Sequence, residues 1–163
     1  LTPLAIQQLE PAPLLPSLHL HLAFLVQTAA GKPRPAIVVV PIPGRLPRFL
    51  SFPAEGHEPL RLCPVEAILT TFAERLFPHQ EILASAVFRI TRDADIAIQD
   101  DDAADLLHSI EKAVLDRRRR AAVRLEISAA SDERLRTWLI SWLELRPEEV
   151  YECDGLLDAA ALM

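Results

Sequence analysis

Three carboxylates, Asp101, Asp102 and Asp105, stand in a DDxxD spacing. On a helix the first and last share a face, a geometry suited to holding Mg²⁺ with a diphosphate. The plainer account is a helix start, where carboxylates complement the backbone dipole and cap free N–H groups. His19 and His21 fall on one face of a predicted strand and offer two metal ligands. Two ligands do not make a site, and the other histidines carry no paired spacing. The run Arg117-Arg118-Arg119-Arg120 offers phosphate-binding guanidinium groups. Its four side chains point in different directions if helical, and cations also stabilise the free carbonyls of a helix C-terminus.

Arg92 is the most informative single residue. Around it, Phe88, Ile90, Ala94, Ile96 and Ile98 are all apolar and share its phase. In a regular strand Arg92 would be buried and would need a carboxylate or phosphate partner. A bulge or turn over Thr91–Asp95 would instead place it in water, paired with Asp93 or Asp95. No Gly-rich phosphate loop, GxSxG or HExxH occurs. No nucleophile–base pair can be assembled, so no catalytic residue and no metal site is assigned.

The chain that must position these groups has 163 residues, enough for one domain, and half of them are hydrophobic. A net charge of −6 argues against a surface evolved as a whole to hold a polyanion, and no nucleic-acid partner is expected. No apolar run approaches the roughly 20 residues that span a bilayer. Cys63 and Cys153 are far apart and make no CxxC, which fits free thiols in a reducing cytoplasm. The sequence starts without Met and reads as a segment of a longer chain.

Fourteen prolines against four glycines set turns and strand edges, mostly in the first half. Residues 1–16 read as an extended lead-in. Leu18, Leu20, Leu22, Phe24 and Val26 alternate with His19, His21 and Gln27, predicting a strand. Ile37–Val40 should pair with it across a turn. Arg48–Phe52 reads as a third short strand. Pro64 to Phe77 predicts a first helix, with Pro64 at its start and Pro78 beyond its end. Ile82 to Ile98 is strand-like with a break near Arg92–Asp95. A second helix is expected over about Asp102 to Arg119, on the stripe Leu106, Leu107, Ile110 and Val114. Val123, Leu125 and Ile127 predict another strand. Ser131 should cap a third helix with Leu135, Trp138, Leu139 and Trp142 inward. A last short strand follows at Val150–Cys153. The expected class is α+β, a mixed β-sheet with about three helices packed mainly on one face.

Val87-Phe88-Arg89-Ile90-Thr91-Arg92-Asp93-Ala94-Asp95-Ile96 resembles the FRxTRDAD segment of long-type bacterial polyphosphate kinases. Leu1–Ala5 is similar to that family's entry into its head (middle) domain, and Leu46-Pro47-Arg48-Phe49 to its LPRF stretch. Asp101–Asp105 with Leu106-Leu107 resembles its acidic helix start. Arg117-Arg118-Arg119 with Val123-Arg124-Leu125-Glu126 resembles its RRR…VRLEV step, and Val150–Asp158 its VYxVDGPLD end. The resemblance runs the length of the chain. Residues 7–16 lack the usual HPFP-like run, Leu157 replaces a common proline, and Ala130-Ser131-Asp132 stands where DMP is usual.

The resemblance implies a single head domain over residues 1–163, within a four-domain parent that transfers the terminal phosphoryl of ATP reversibly to polyphosphate. It implies a phosphohistidine, with Mg²⁺ and ATP serving the parent enzyme. The histidine and most ATP contacts belong to the C-terminal domains, so none of His19, His21, His57, His79 or His108 is carried over and no cofactor is expected in this domain. Expected partners are the parent's other domains, a homodimer partner and a polyphosphate chain; Arg92, and after it Arg89, is expected to face polyphosphate or a buried carboxylate. Two rivals stand beside this expectation: an interaction module without phosphate contact, and a Mg²⁺-dependent enzyme using Asp101, Asp102 and Asp105.

Overall fold

A computed structural model describes residues 4–5, 14–28, 35–52, 61–92 and 121–159. Six strands form one sheet: β1 (Leu4–Ala5), β2 (Leu20–Thr28), β3 (Ala36–Pro41), β6 (Gln80–Arg92), β7 (Ala122–Ser128) and β8 (Val150–Cys153). Their order is β1-β3-β2-β6-β7-β8. Every pairing is antiparallel except β7–β8, which is parallel, so the sheet is mixed. A separate antiparallel ribbon joins β4 (Phe49–Phe52) to β5 (Arg61–Pro64).

The alternation of β2 sorts the core into two layers. Leu20, Leu22, Phe24 and Val26 enter one, with Val38 and Val40 of β3. Ala23 and Leu25 enter the other, with Val39, Phe88, Ile90, Leu125 and Ile127. β2 lies between β3 and β6, and a packed layer covers each of its faces.

Helix α1 (Val65–Thr71) closes the first layer through Val65 and Leu69. Pro64 is its N-cap, and a 3₁₀ turn at Ala73–Arg75 continues it toward the buried Phe77. Helix α2 (Glu133–Trp142) connects β7 to β8 and closes the second layer through Leu135 and Leu139. Trp138 and Trp142, one turn apart, stack with ring centroids 5.1 Å apart and pack at the margin.

The α+β class and the mixed sheet are as expected, but the two described helices cover opposite faces rather than one. The reason is that β2 and β6 are apolar on both faces. The expected helix at Asp102–Arg119 lies outside the described residues, as does the strand continuation Asp93–Ile98. The cap of α2 is Asp132, not Ser131: its carboxylate accepts from the backbone N–H of Arg134 at 2.9 Å. Leu18 is not part of β2. It sits in a turn at φ 62° with its side chain exposed, and the strand begins two residues later.

Candidate functional site

Strand β6 carries both arginines singled out by the sequence, and pleating sends them to opposite faces. Arg89 stands directly across from Glu126 of β7 and Leu20 of β2, on the α1 face. Its Nε donates to Glu126 at 2.6 Å and its Nη1 to Asp158 at 3.0 Å. Arg124 adds a second bond to Glu126 at 3.0 Å, and its guanidinium lies 4.2 Å from the centre of the Tyr151 ring. Glu126 is buried, yet the hydrogen bond from Arg89 holds its carboxyl below the ordinary carboxylate range. The same bond raises the Arg89 guanidinium above its usual value.

A second arginine lies on this face. Arg48, just ahead of β4, makes a two-pronged ion pair with Glu66 in the first turn of α1, and its Nη2 donates to the carbonyl of Leu157 at 2.8 Å. Such forked pairs fix orientation as well as charge. Glu66 is buried behind this pair. The Arg48 Nε is also buried, with no hydrogen-bond partner among the described residues. Between the two arginines lies an apolar cleft of about 330 Å³, lined by Pro64, Ala67, Thr70, Val87 and Leu157 among others.

Arg92 ends β6 on the α2 face, where the pairing to β7 slips by one residue. The irregularity does not put it into water. It is half-buried, its Nε donates to the carbonyl of Leu15 at 3.0 Å, and its backbone N–H donates to the Ser17 hydroxyl at 3.0 Å. Desolvation lowers its guanidinium from the usual range. His21, near it, is fully buried and stacks on Phe88 at 5.1 Å. Neither ring nitrogen has a hydrogen-bond partner among the described residues, and burial pushes the imidazole down to about 4. His19 is exposed and ahead of the strand, so the two imidazoles do not form a ligand pair.

The carboxylate motif Asp101, Asp102, Asp105 and the run Arg117–Arg120 lie outside the described residues. Among the described residues no three His, Cys, Asp or Glu side chains converge to hold a metal. The carboxylates beside the cleft, Glu66, Glu126 and Asp158, are each held by arginine.

Residue spacing did not single out Arg48, Glu66, Glu126, Leu157 or Asp158 as a group. The signal was in the motifs. Arg48 comes from the LPRF-like stretch, Arg89 from the FRxTRDAD-like segment, and Leu157 and Asp158 from the VYxVDGPLD-like end. Three distant segments meet on one face. Comparison with known proteins then decides their kinship: the family model described as "Polyphosphate kinase middle domain" matches residues 1–163. The chain belongs to the polyphosphate kinase middle-domain family.

Named relatives of this middle domain agree. It is 38% identical to a polyphosphate kinase of Thermosynechococcus vestitus, over 96% of this chain and 22% of that protein. It is 37% identical to one of Bacillus cereus, over 99% of this chain and 24% of the relative. The crystal structure of polyphosphate kinase from Porphyromonas gingivalis shares the fold, with a TM-score of 0.72 at 16% identity over 99% of this chain and 22% of that one. The chain thus spans about a fifth to a quarter of the length of the relatives it matches. Among the described residues no helix is long and apolar enough to cross a membrane.

Proposed function

We propose that the chain is a single head domain within a longer cytoplasmic polyphosphate kinase. The parent would transfer the terminal phosphoryl of ATP reversibly to polyphosphate, using Mg²⁺ and a phosphohistidine outside this segment. The match of residues 1–163 to the middle-domain family carries the proposal. The domain's own part is non-catalytic: it contributes to dimer contacts and to the path of the polymer.

Two observations support those finer roles. The β4–β5 ribbon exposes Leu50 and Phe52 on one face, apolar side chains of the kind that a partner covers. Arg92 is a partly desolvated cation at the end of the central strand β6, in a setting where a phosphate oxygen would be bound more strongly than in water. Arg89 is the weaker phosphate-facing candidate. Glu126 and Asp158 already hold its guanidinium, and their charges repel a polyanion.

The test is binding of labelled long-chain polyphosphate, by anisotropy at low and moderate salt. On this proposal affinity falls steeply with salt and is lost in Arg92→Ala. A second reading, a scaffold without phosphate contact, is favoured by the net charge of −6 and by the carboxylates around Arg89. Absence of binding at low salt would establish that reading over the first. Failure of the full-length parent to make polyphosphate from ATP would remove both.

A further inference from the structure

Beyond β8 the chain makes no helix or strand from residue 154 to 158, yet Leu157 and Asp158 are firmly held. Asp154, Gly155 and Leu156 are exposed, whereas Leu157 is 4% exposed and packs into the layer beneath α1. Arg48 binds the Leu157 carbonyl and Arg89 binds the Asp158 carboxylate. Each arginine is itself fixed by a buried glutamate, Glu66 or Glu126. Asp158 adopts φ 56°, a left-handed conformation that costs energy for a non-glycine residue and persists where surrounding contacts determine it.

We propose that Arg48 and Arg89 form a clamp on the segment by which the chain leaves the sheet. Residues 154–158 then move with the sheet as one body, and the pivot between this domain and whatever follows lies beyond Ala159. The proposal rests on the reading of the chain as an internal domain of a longer enzyme. Leu157 supplies the apolar anchor, and the two guanidinium groups supply direction. One grips backbone and the other side chain, so adjacent residues are held from two points of the fold, 109 and 69 positions away in sequence. Turning the backbone at Asp158 between these grips sets the exit direction. Arg48 and Arg89 are positioning residues here, with no contact to a reacting group required of them.

Hydrogen exchange by mass spectrometry, on the longest natural chain that contains residues 1–163, tests the clamp. Asp158→Asn keeps the shape and removes the charge. It should accelerate exchange across residues 154–159 by on the order of tenfold, the scale of one charge-assisted hydrogen bond, and leave β6 and β7 unchanged. Asp158→Glu should stay near the wild-type rate. Arg89→Gln should resemble Asp158→Asn at this segment, and the double variant should be no faster than the faster single one, because both remove the same contact. Unchanged exchange at 154–159 in Asp158→Asn would overturn the clamp, and so would additive effects in the double variant. Asp158→Asn alone decides the matter should Arg89→Gln fail to fold. Polyphosphate synthesis by the unmodified chain is read in parallel. Its absence defeats the functional reading and leaves the exchange result on the clamp standing.

Discussion

The two faces of the central sheet are covered by different means. On one, α2 lays Leu135 and Leu139 onto Val39, Phe88, Ile90, Leu125 and Ile127, and apolar packing holds the layer together. On the other, Val65 and Leu69 of α1 share a layer with Leu157 from the stretch after β8. That stretch buries one large apolar side chain, Leu157, so packing alone cannot hold it. Directional charge does so instead, through Arg48 and Arg89. A helix with an apolar stripe is self-sufficient as a cover. An irregular segment must be pinned, because each residue it orders costs conformational entropy without a comparable area to bury.

The largest expected effect breaks the packed face. Leu139→Ala should destabilise the fold by about 4 kcal/mol, since the residue is fully buried and the sheet beneath it cannot collapse into the space. Urea unfolding checks this, and the loss should be nearly independent of pH and salt. A strongly salt-dependent loss would show that the faces are not held differently after all.

On the charged face, Arg89→Ala should cost about 3 kcal/mol near neutral pH, because it leaves Glu126 buried with only the more exposed Arg124. In the wild type the folded carboxyl of Glu126 lies below its ordinary 4.5. Its stabilisation is therefore present above about 4.5 and is lost as pH falls through the depressed folded value. In Arg89→Ala desolvation works in the opposite direction, so the gap between variant and wild type should narrow on acidification. Unfolding curves at several pH values read this directly.

His21 is the exception on the packed face and sharpens the contrast. Its imidazole, pushed down from 6.5 to about 4, is buried neutral, with His19 and Arg92 as the charged groups nearby. The unfolded chain takes up the proton first. Stability should thus be full above about 6.5 and fall by up to about 3 kcal/mol as pH drops toward 4. His21→Phe should flatten that segment of the profile. It should be neutral or stabilising at pH 7, because it removes two unpaired buried nitrogens and keeps a ring on Phe88.

Much of this architecture was legible in the sequence and the site was not, for physical reasons. The alternation of Leu20, Leu22, Phe24 and Val26 and the stripe of Leu135 and Leu139 record local burial, which periodicity reports well. His21 was assigned to the more polar side of the strand. Its burial depends on the layer that packs over that face of β2, which is a property of tertiary packing. Leu18 fits the alternation but lies in a left-handed turn that hydrophobicity does not encode. β5 has only four residues, without a pattern, and exists because β4 pairs with it. The ion pairs join Arg48 to Glu66 and Arg89 to Asp158 across long stretches of chain, so no spacing rule could connect them. Only the motif resemblance placed Arg48, Arg89 and Asp158 within matching segments, and it gave Arg48 and Asp158 no role.

The smallest expected effect tests how far the charged face extends. Arg124 lies over the Tyr151 ring at 4.2 Å and reaches Glu126 from the solvent side. Water competes for an exposed guanidinium, and the attraction of a ring quadrupole for it amounts to about 0.5 kcal/mol at such a site. Tyr151→Leu should accordingly cost about that much and leave the pH profile of Glu126 unchanged, because Arg89, rather than Arg124, dominates that carboxyl. A loss several times larger, or an upward move of the Glu126 titration, would mean that Tyr151 holds Arg124 in place for Glu126. The clamp would then reach across β7 to the edge strand β8, and the charged face would be one connected network instead of two arginine grips with a solvated rim.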